Sequence, residues 1–199
     1  ARYVKGADIK AHEQVVLDSK DAELSFNFLE EPFDIKAHEQ VILDSKDAAY
    51  NYWCVVAVEG TNVKAHEQAV LDSKNAEYNY LFARLIKDAY RYIDSVDNVG
   101  DYLEGIIGNY NNLFELTKVA DIKSHEQVVI DSKNPEYNYL FARDVYGADI
   151  KAHEQVVLNS GNSFFISKFV NEDGTANDNI DTDIKRGIKV ILKRFRFSN

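Results

Sequence analysis

Ile9–Lys20 reads IKAHEQVVLDSK, and the peptide returns four times: IKAHEQVILDSK at Ile35–Lys46, VKAHEQAVLDSK at Val63–Lys74, IKSHEQVVIDSK at Ile122–Lys133 and IKAHEQVVLNSG at Ile150–Gly161. Near-copies at a regular interval mark a tandem repeat protein. The histidines give the phase: His12, His38, His66, His125 and His153 are spaced by 26, 28, 59 and 28 residues. The long interval is about two periods, so one repeat between His66 and His125 has diverged or been replaced. A period of this length accommodates two short helices and two turns.

The clearest copy is Asp121–Gly147, DIKSHEQVVIDSKNPEYNYLFARDVYG. Asp121 stands where an N-cap belongs, and Ile122–Ile130 reads as a first helix. Asp131-Ser132-Lys133 is a polar break. Asn134 followed by Pro135 is a helix start, because proline is tolerated only where its missing N–H is not needed. Pro135–Val145 reads as the second helix, with Gly147 as its left-handed terminator, and Asp149 caps the next first helix.

At about 100° per residue, Ile9, Ala11, His12, Val15 and Val16 share one arc of the first helix, opposite Lys10, Glu13 and Gln14. In the second helix Tyr137, Leu140, Phe141, Ala142 and Val145 form the apolar arc. Tyr139 and Arg143 fall on the polar side, as do Tyr80 and Arg84 in the preceding copy; Phe26/Glu30 and Tyr52/Val56 occupy those places in the first two. Trp53 and Cys54 stand where Leu81/Phe82 and Leu140/Phe141 stand, which makes both core candidates. Helices this short do not persist alone. Stacking of neighbouring hairpins is therefore expected, giving an all-α fold, an α-solenoid with a diverged central insert and a C-terminal capping helix. The expected divisions are 1–85 (N-terminal repeats), 86–119 (insert), 120–163 (C-terminal repeats) and 164–199 (cap).

Within Leu85–Val119 the apolar spacing stays helical, but Gly100, Gly105 and Gly108 interrupt it. Two or three helices of a diverged repeat are expected, with a turn at Asn109–Asn112 and a short helix at Leu113–Val119, bending the array. Ile184–Phe197 reads as a basic amphipathic helix carrying Lys189, Lys193 and Arg196, suited to cap the last repeat. The first seven residues, ARYVKGA, match Ala142–Ala148, ARDVYGA, at five positions of seven. They read as the remnant of a second helix, so either the natural protein starts with a half-repeat or an N-terminal part is missing.

The chain has 199 residues, a net charge of -10 and one cysteine. The acidity argues against direct binding of nucleic-acid phosphates and favours a basic protein partner, or simply a soluble surface. No window approaches the roughly 18 apolar residues of a membrane span, and no charged-then-apolar segment opens the chain. A cytoplasmic protein away from membranes is expected. HEQVV is not the H-E-x-x-H of a metalloprotease, and its copies lie a repeat apart, beyond the reach of one metal shell. The five histidines are therefore expected to be structural, each bonded to a loop or a neighbouring repeat. No catalytic residue, metal ligand or cofactor is assigned.

The run DIKSHEQVVIDSKNPEYNYLFARDVYGADIKAHEQVV resembles a short tandem helical repeat of bacterial and phage proteins, in which leucine often stands at the place of His125. The resemblance implies stacked helical hairpins and no particular activity. The leading expectation is a non-enzymatic protein that binds another protein. Tyr80, Arg84, Tyr139, Arg143, Lys189, Lys193 and Arg196 are the candidate contacts. A specific form is a phage or mobile-element inhibitor that covers a host defence complex such as a CRISPR nuclease, whose nucleic-acid groove is basic. Two other readings stay open: an enzyme with repeat His/Glu residues or the insert lining a pocket, and a structural array that self-associates end to end.

Overall fold

The computed structural model describes residues 8–29, 33–93 and 110–169. All regular structure among them is helical: α1 (Ile9–Ser19), α2 (Ala22–Phe26), α3 (Ile35–Ser45), α4 (Ala48–Ala57), α5 (Val63–Ser73), α6 (Ala76–Ile93), α7 (Tyr110–Val119), α8 (Ile122–Asp131), α9 (Pro135–Asp144), α10 (Ile150–Ser160) and α11 (Ser163–Phe169). The expected half-repeat at Ala1, the middle of the insert (94–109) and the basic C-terminal helix lie outside the described residues.

The helix starts follow from local chemistry. Asp8, Asp34, Asn62, Asp121 and Asp149 each accept the backbone N–H three residues on, at 3.0–3.1 Å. Asp21, Asp47, Asn75, Asn134 and Asn162 do so for the second helices at 3.0–3.4 Å. Each cap satisfies an amide the helix cannot. The DSK break is built just as locally. In α1 the Ser19 hydroxyl donates to Val16 O at 2.6 Å and accepts from Asp21 N at 3.2 Å, which ties the end of one helix to the cap of the next.

The lysine of the break carries a cost. Lys20, Lys46, Lys74 and Lys133 sit at φ of 53–55°, whereas the fifth copy places Gly161 there at φ 68°. A side chain in the left-handed region loses roughly 1 kcal/mol to its own carbonyl. Lys46→Gly and Lys133→Gly are each expected to stabilise the protein by about 0.5–1 kcal/mol, read as a rise in urea midpoint at constant slope.

The second helix of the clearest copy ends one residue earlier than expected. Helix α9 stops at Asp144, with Val145 extended at φ -98° as its cap; Gly147, at φ 80°, turns the chain two residues later. Helix α4 ends at Ala57 in the same way, with Val58 extended as its cap.

The described chain divides into two compact units, Ala1–Ser73 with Ala89–Ala120 and Lys74–Asp88 with Asp121–Asn199. In the first, the broadest contacts join α2 to α3 and α4 to α5, that is, a second helix to the first helix of the following repeat. The first helices α1, α3 and α5 touch in succession, as do α2 and α4. Ile42, Cys54, Val55 and Val70 are buried between them. The second unit repeats the pattern, with α9 against α10, α8 against α10 and α9 against α11. Its core joins Tyr80 and Ala83 of α6 to Val129, Phe141 and Val145, and Ala142, Val157 and Phe169 continue it.

The insert departs from expectation. Asn79 of α6 meets His125 of α8 at 2.7 Å, the contact that consecutive repeats make elsewhere. In the second unit the succession therefore runs from α6 to α8. Helix α7 packs in the first unit, against α5. It begins at Tyr110, earlier than the expected Leu113, so Asn112 is helical and buried. Its Nδ2 lies 2.7–3.0 Å from Val55 O, Val58 O and Thr61 Oγ1, where the end of α4 leaves carbonyls unpaired.

Candidate functional site

The HEQ stretch that looks like chemistry builds a joint between repeats. Asn138, in the middle of α9, donates through Nδ2 to Val129 O and Asn134 O, both at 2.8 Å. With both N–H groups committed, its Oδ1 can only accept, and His153 Nδ1 of α10 donates to it at 2.8 Å. Asn51 does the same for His66, donating to Ile42 O and Asp47 O and accepting from Nδ1 at 2.8 Å. Three residues beyond each joint asparagine of the second unit, a phenylalanine stacks on the next imidazole: Phe82 on His125 and Phe141 on His153, each with centroids 5.0 Å apart. His38, His66, His125 and His153 are all fully buried. His66, His125 and His153 are bonded to a neighbouring repeat as expected; His38 is buried without a hydrogen bond and His12 is exposed, so these two depart from expectation.

The asparagine was not anticipated, although the signal was present. Asn51, Asn79 and Asn138 recur mid-helix, where asparagine is a poor helix former, and on the arc of Phe141 and Val145.

Glutamate closes the joint from the other side. The sequence phase puts it opposite the histidine's arc, but it reaches across to the next repeat. Glu13 accepts from Asp34 N at 2.6 Å and Glu39 from Asn62 N at 2.7 Å, and Glu126 accepts from Asp149 N. The same carboxylates face the following imidazole, with Glu39 3.1 Å from His66 Nε2 and Glu126 3.4 Å from His153 Nε2. The bond to His66 holds the Glu39 carboxyl below the usual range. Burial pushes the Glu126 carboxyl up, but the His153 ring facing it, the Lys123 ammonium and the Asp149 amide outweigh it and hold it at about 2.

A depressed carboxyl stabilises the fold above its unfolded value and loses that contribution as pH falls towards its folded one. Between pH ~4.5 and ~2 the protein should therefore lose about 3 kcal/mol through Glu126 alone. Urea titrations at pH 7 and pH 3 should show a visibly smaller difference for Glu126→Gln than for the wild type.

The first joint is incomplete. Ser25 replaces the asparagine, and neither its buried hydroxyl nor either nitrogen of His38 has a hydrogen-bond partner. Glu13 lies 3.6 Å from His38 Nε2, and the ring of Phe28 packs at 5.1 Å. Burial lowers the His38 pKa, partly opposed by Glu13 and Asp34. Ser25→Asn should supply the missing acceptor and raise stability by about 1 kcal/mol, seen as a higher thermal midpoint that His38→Leu abolishes.

The tyrosine–arginine pairs depart from the expected outward placement. Tyr80 is buried and its hydroxyl donates to Asp144 Oδ2 at 2.6 Å. Burial and the neighbouring Asp144 push it up to about 12. The helical phase put Tyr80 outside, but α9 covers that side. Tyr139 is half-buried beside Phe165 and Phe169. The arginines are exposed. Arg143 grips Asp144 with Nε and Nη2, both at 2.7 Å, and its guanidinium lies 5.5 Å from the Tyr139 ring centroid. Arg84 Nη1 reaches the Tyr80 hydroxyl at 3.5 Å and Nε faces Asp88 at 3.8 Å. Tyr80 and Arg143 thus meet at Asp144, whose backbone carbonyl accepts from Lys87 Nζ. Lys189, Lys193 and Arg196 lie outside the described residues.

Trp53 is 45% exposed rather than core, with Tyr52 edge-on at 5.3 Å. Cys54 is fully buried as expected, and desolvation pushes its thiol up to about 12, which removes the reactive thiolate at neutral pH. Among the described residues no group of three or more His, Cys, Asp or Glu is placed to hold a metal ion. None of the described helices is long and apolar enough to cross a membrane. No protein-family profile, curated protein or solved structure matches the chain.

Proposed function

We propose that the chain is a non-enzymatic α-solenoid of stacked helical hairpins that binds another protein. One observation carries this reading: the histidines and glutamates of the repeat are spent in the joints, while exposed positions of the second helices differ from repeat to repeat. His66 and His153 are enclosed between an asparagine and a glutamate. A buried imidazole with both faces occupied by its own fold has no room for a substrate. Outside the joints, Trp53, Arg84 and Arg143 are exposed at positions that vary between copies. Tryptophan and arginine are the types that dominate binding energy when an interface desolvates them. Tyr80 and Tyr139 act beneath the two arginines, holding Asp144 and Arg143 in place.

The acidity of the chain favours a basic partner, and a nucleic-acid-binding protein fits that description. The narrower form of the proposal is a phage or mobile-element inhibitor that covers the nucleic-acid groove of a host defence nuclease. It rests on the charge of -10 and on the repeat's resemblance to bacterial and phage proteins. Affinity capture from the host's lysate, compared between the wild type and a Trp53→Ala/Arg84→Ala/Arg143→Ala variant, tests the reading. A stoichiometric basic protein is expected with the wild type and at least tenfold less of it with the variant. Recovery of no stoichiometric partner would sink the proposal, and equal recovery by both would move the interface elsewhere.

A further inference from the structure

The joint between α2 and α3 differs from the next one by a single chemical group. Where Ser25 stands, Asn51 donates through Nδ2 to Ile42 O at 3.1 Å and Asp47 O at 2.8 Å, and its Oδ1 meets His66 Nδ1 at 2.8 Å. Val16 O and Asp21 O hold the places of those two carbonyls. The other bonds to them are the same in both joints: Ser19 and Ser45 donate to Val16 O and Ile42 O, and the Ser25 and Asn51 amides to Asp21 O and Asp47 O. Only the carboxamide is replaced. Ser25 and His38 are both fully buried, and neither Ser25 Oγ nor His38 Nδ1 is hydrogen-bonded within the protein. We propose that the first joint binds one water molecule, which does the work of the asparagine carboxamide between Ser25 and His38.

The chemistry of the site selects this ligand. In the next joint the carboxamide supplies two N–H donors and one acceptor. Water carries two hydrogens and two lone pairs, so one molecule covers both functions. A hydroxyl is about two heavy atoms smaller than a carboxamide, a difference that suits water rather than a larger solute. The water oxygen accepts from His38 Nδ1, and its hydrogens turn to Val16 O and Ser25 Oγ. Three bonds are the usual complement of a buried water. Cavities that stay dry are apolar, and this one is walled by a hydroxyl, an imidazole and a carbonyl. Holding one water costs less than leaving two buried polar groups unbonded. Aromatic rings close the site: Phe28 lies 5.1 Å from the His38 ring and 4.5 Å from Phe33. Glu13 does not compete for the same nitrogen, because it faces Nε2 at 3.6 Å.

Water-oxygen magnetic relaxation dispersion counts the water molecules that a protein holds while it tumbles, and the full chain is the sample. The wild type is expected to hold one molecule more than Ser25→Asn, whose carboxamide expels the water. That variant carries the residue of the complete joints, so its fold has an internal precedent at Asn51 and Asn138. Ser25→Ala keeps the site but removes one of its three bonds, so the molecule should stay with a shorter residence time. Equal counts in the wild type and Ser25→Asn overturn the proposal. A residence time in Ser25→Ala as long as in the wild type overturns it too, because Ser25 is then no part of the site. A crystal structure of the wild type gives a second reading. A water within hydrogen-bond distance of both Ser25 Oγ and His38 Nδ1 supports the assignment, and a direct bond between those two atoms overturns it.

Discussion

Asn138→Leu is expected to destabilise the second unit by about 3–4 kcal/mol, far more than an average surface change. The side chain makes three buried hydrogen bonds, to Val129 O, Asn134 O and His153 Nδ1. Leucine leaves the His153 N–H and the Val129 carbonyl without their asparagine partner, at about 1–3 kcal/mol for each orphaned group. His153→Leu in the same background should recover a good part of the loss, because two apolar groups can replace a bonded pair at little net cost. Urea denaturation of the two single variants and the double variant gives the coupling energy, expected at about 1–3 kcal/mol. Additive losses would mean that the two side chains act independently and that the joint is not a bonded unit.

Phe141→Ala should cost about 3–5 kcal/mol, the range for emptying an aromatic site in a packed core. Phe141 is fully buried among Tyr80, Ala83, Val129 and Val145 and also stacks on His153. The cavity therefore opens on two sides, towards α6 and towards α10. Hydrogen exchange should show α8, α9 and α10 losing protection together. Phe141→Leu, which keeps most of the volume but no ring face, should cost clearly less.

Much of this architecture was legible in the residues. Helix starts are local: Asp121 and Asn134 find their amides within three residues, so the sequence alone places them. The burial of His38, His66, His125 and His153 follows from their position mid-arc among alanine and valine. What periodicity gives is an azimuth on one helix, and it does not say which neighbour covers that azimuth. Tyr80 sits on the polar side of its own helix yet is covered by α9. Trp53 replaces a leucine yet stays exposed, because a larger side chain at a half-buried position projects past the neighbours that cover leucine. Glu126 lies opposite the histidine of its own helix and so looked solvent-facing, but its bonds are to the following repeat. The asparagines were hidden differently. A polar residue on an apolar arc is a flaw if unpaired and a hub if paired, and only the partner distinguishes the two.

The joint between Asn79 and His125 spans 46 residues of sequence, where the joints at Asn51–His66 and Asn138–His153 span 15. The contact itself is the same, so the difference lies in the time needed to form it. Tripling the separation of two ends adds roughly 1 kcal/mol to the entropy of closing the loop, and contacts distant in sequence form late. Folding should therefore begin at the short-range joints and finish when α6 meets α8. A mutation in Asn79 should accelerate unfolding while leaving the folding rate nearly unchanged, and lengthening the segment between α6 and α8 should slow the final step by only a small factor.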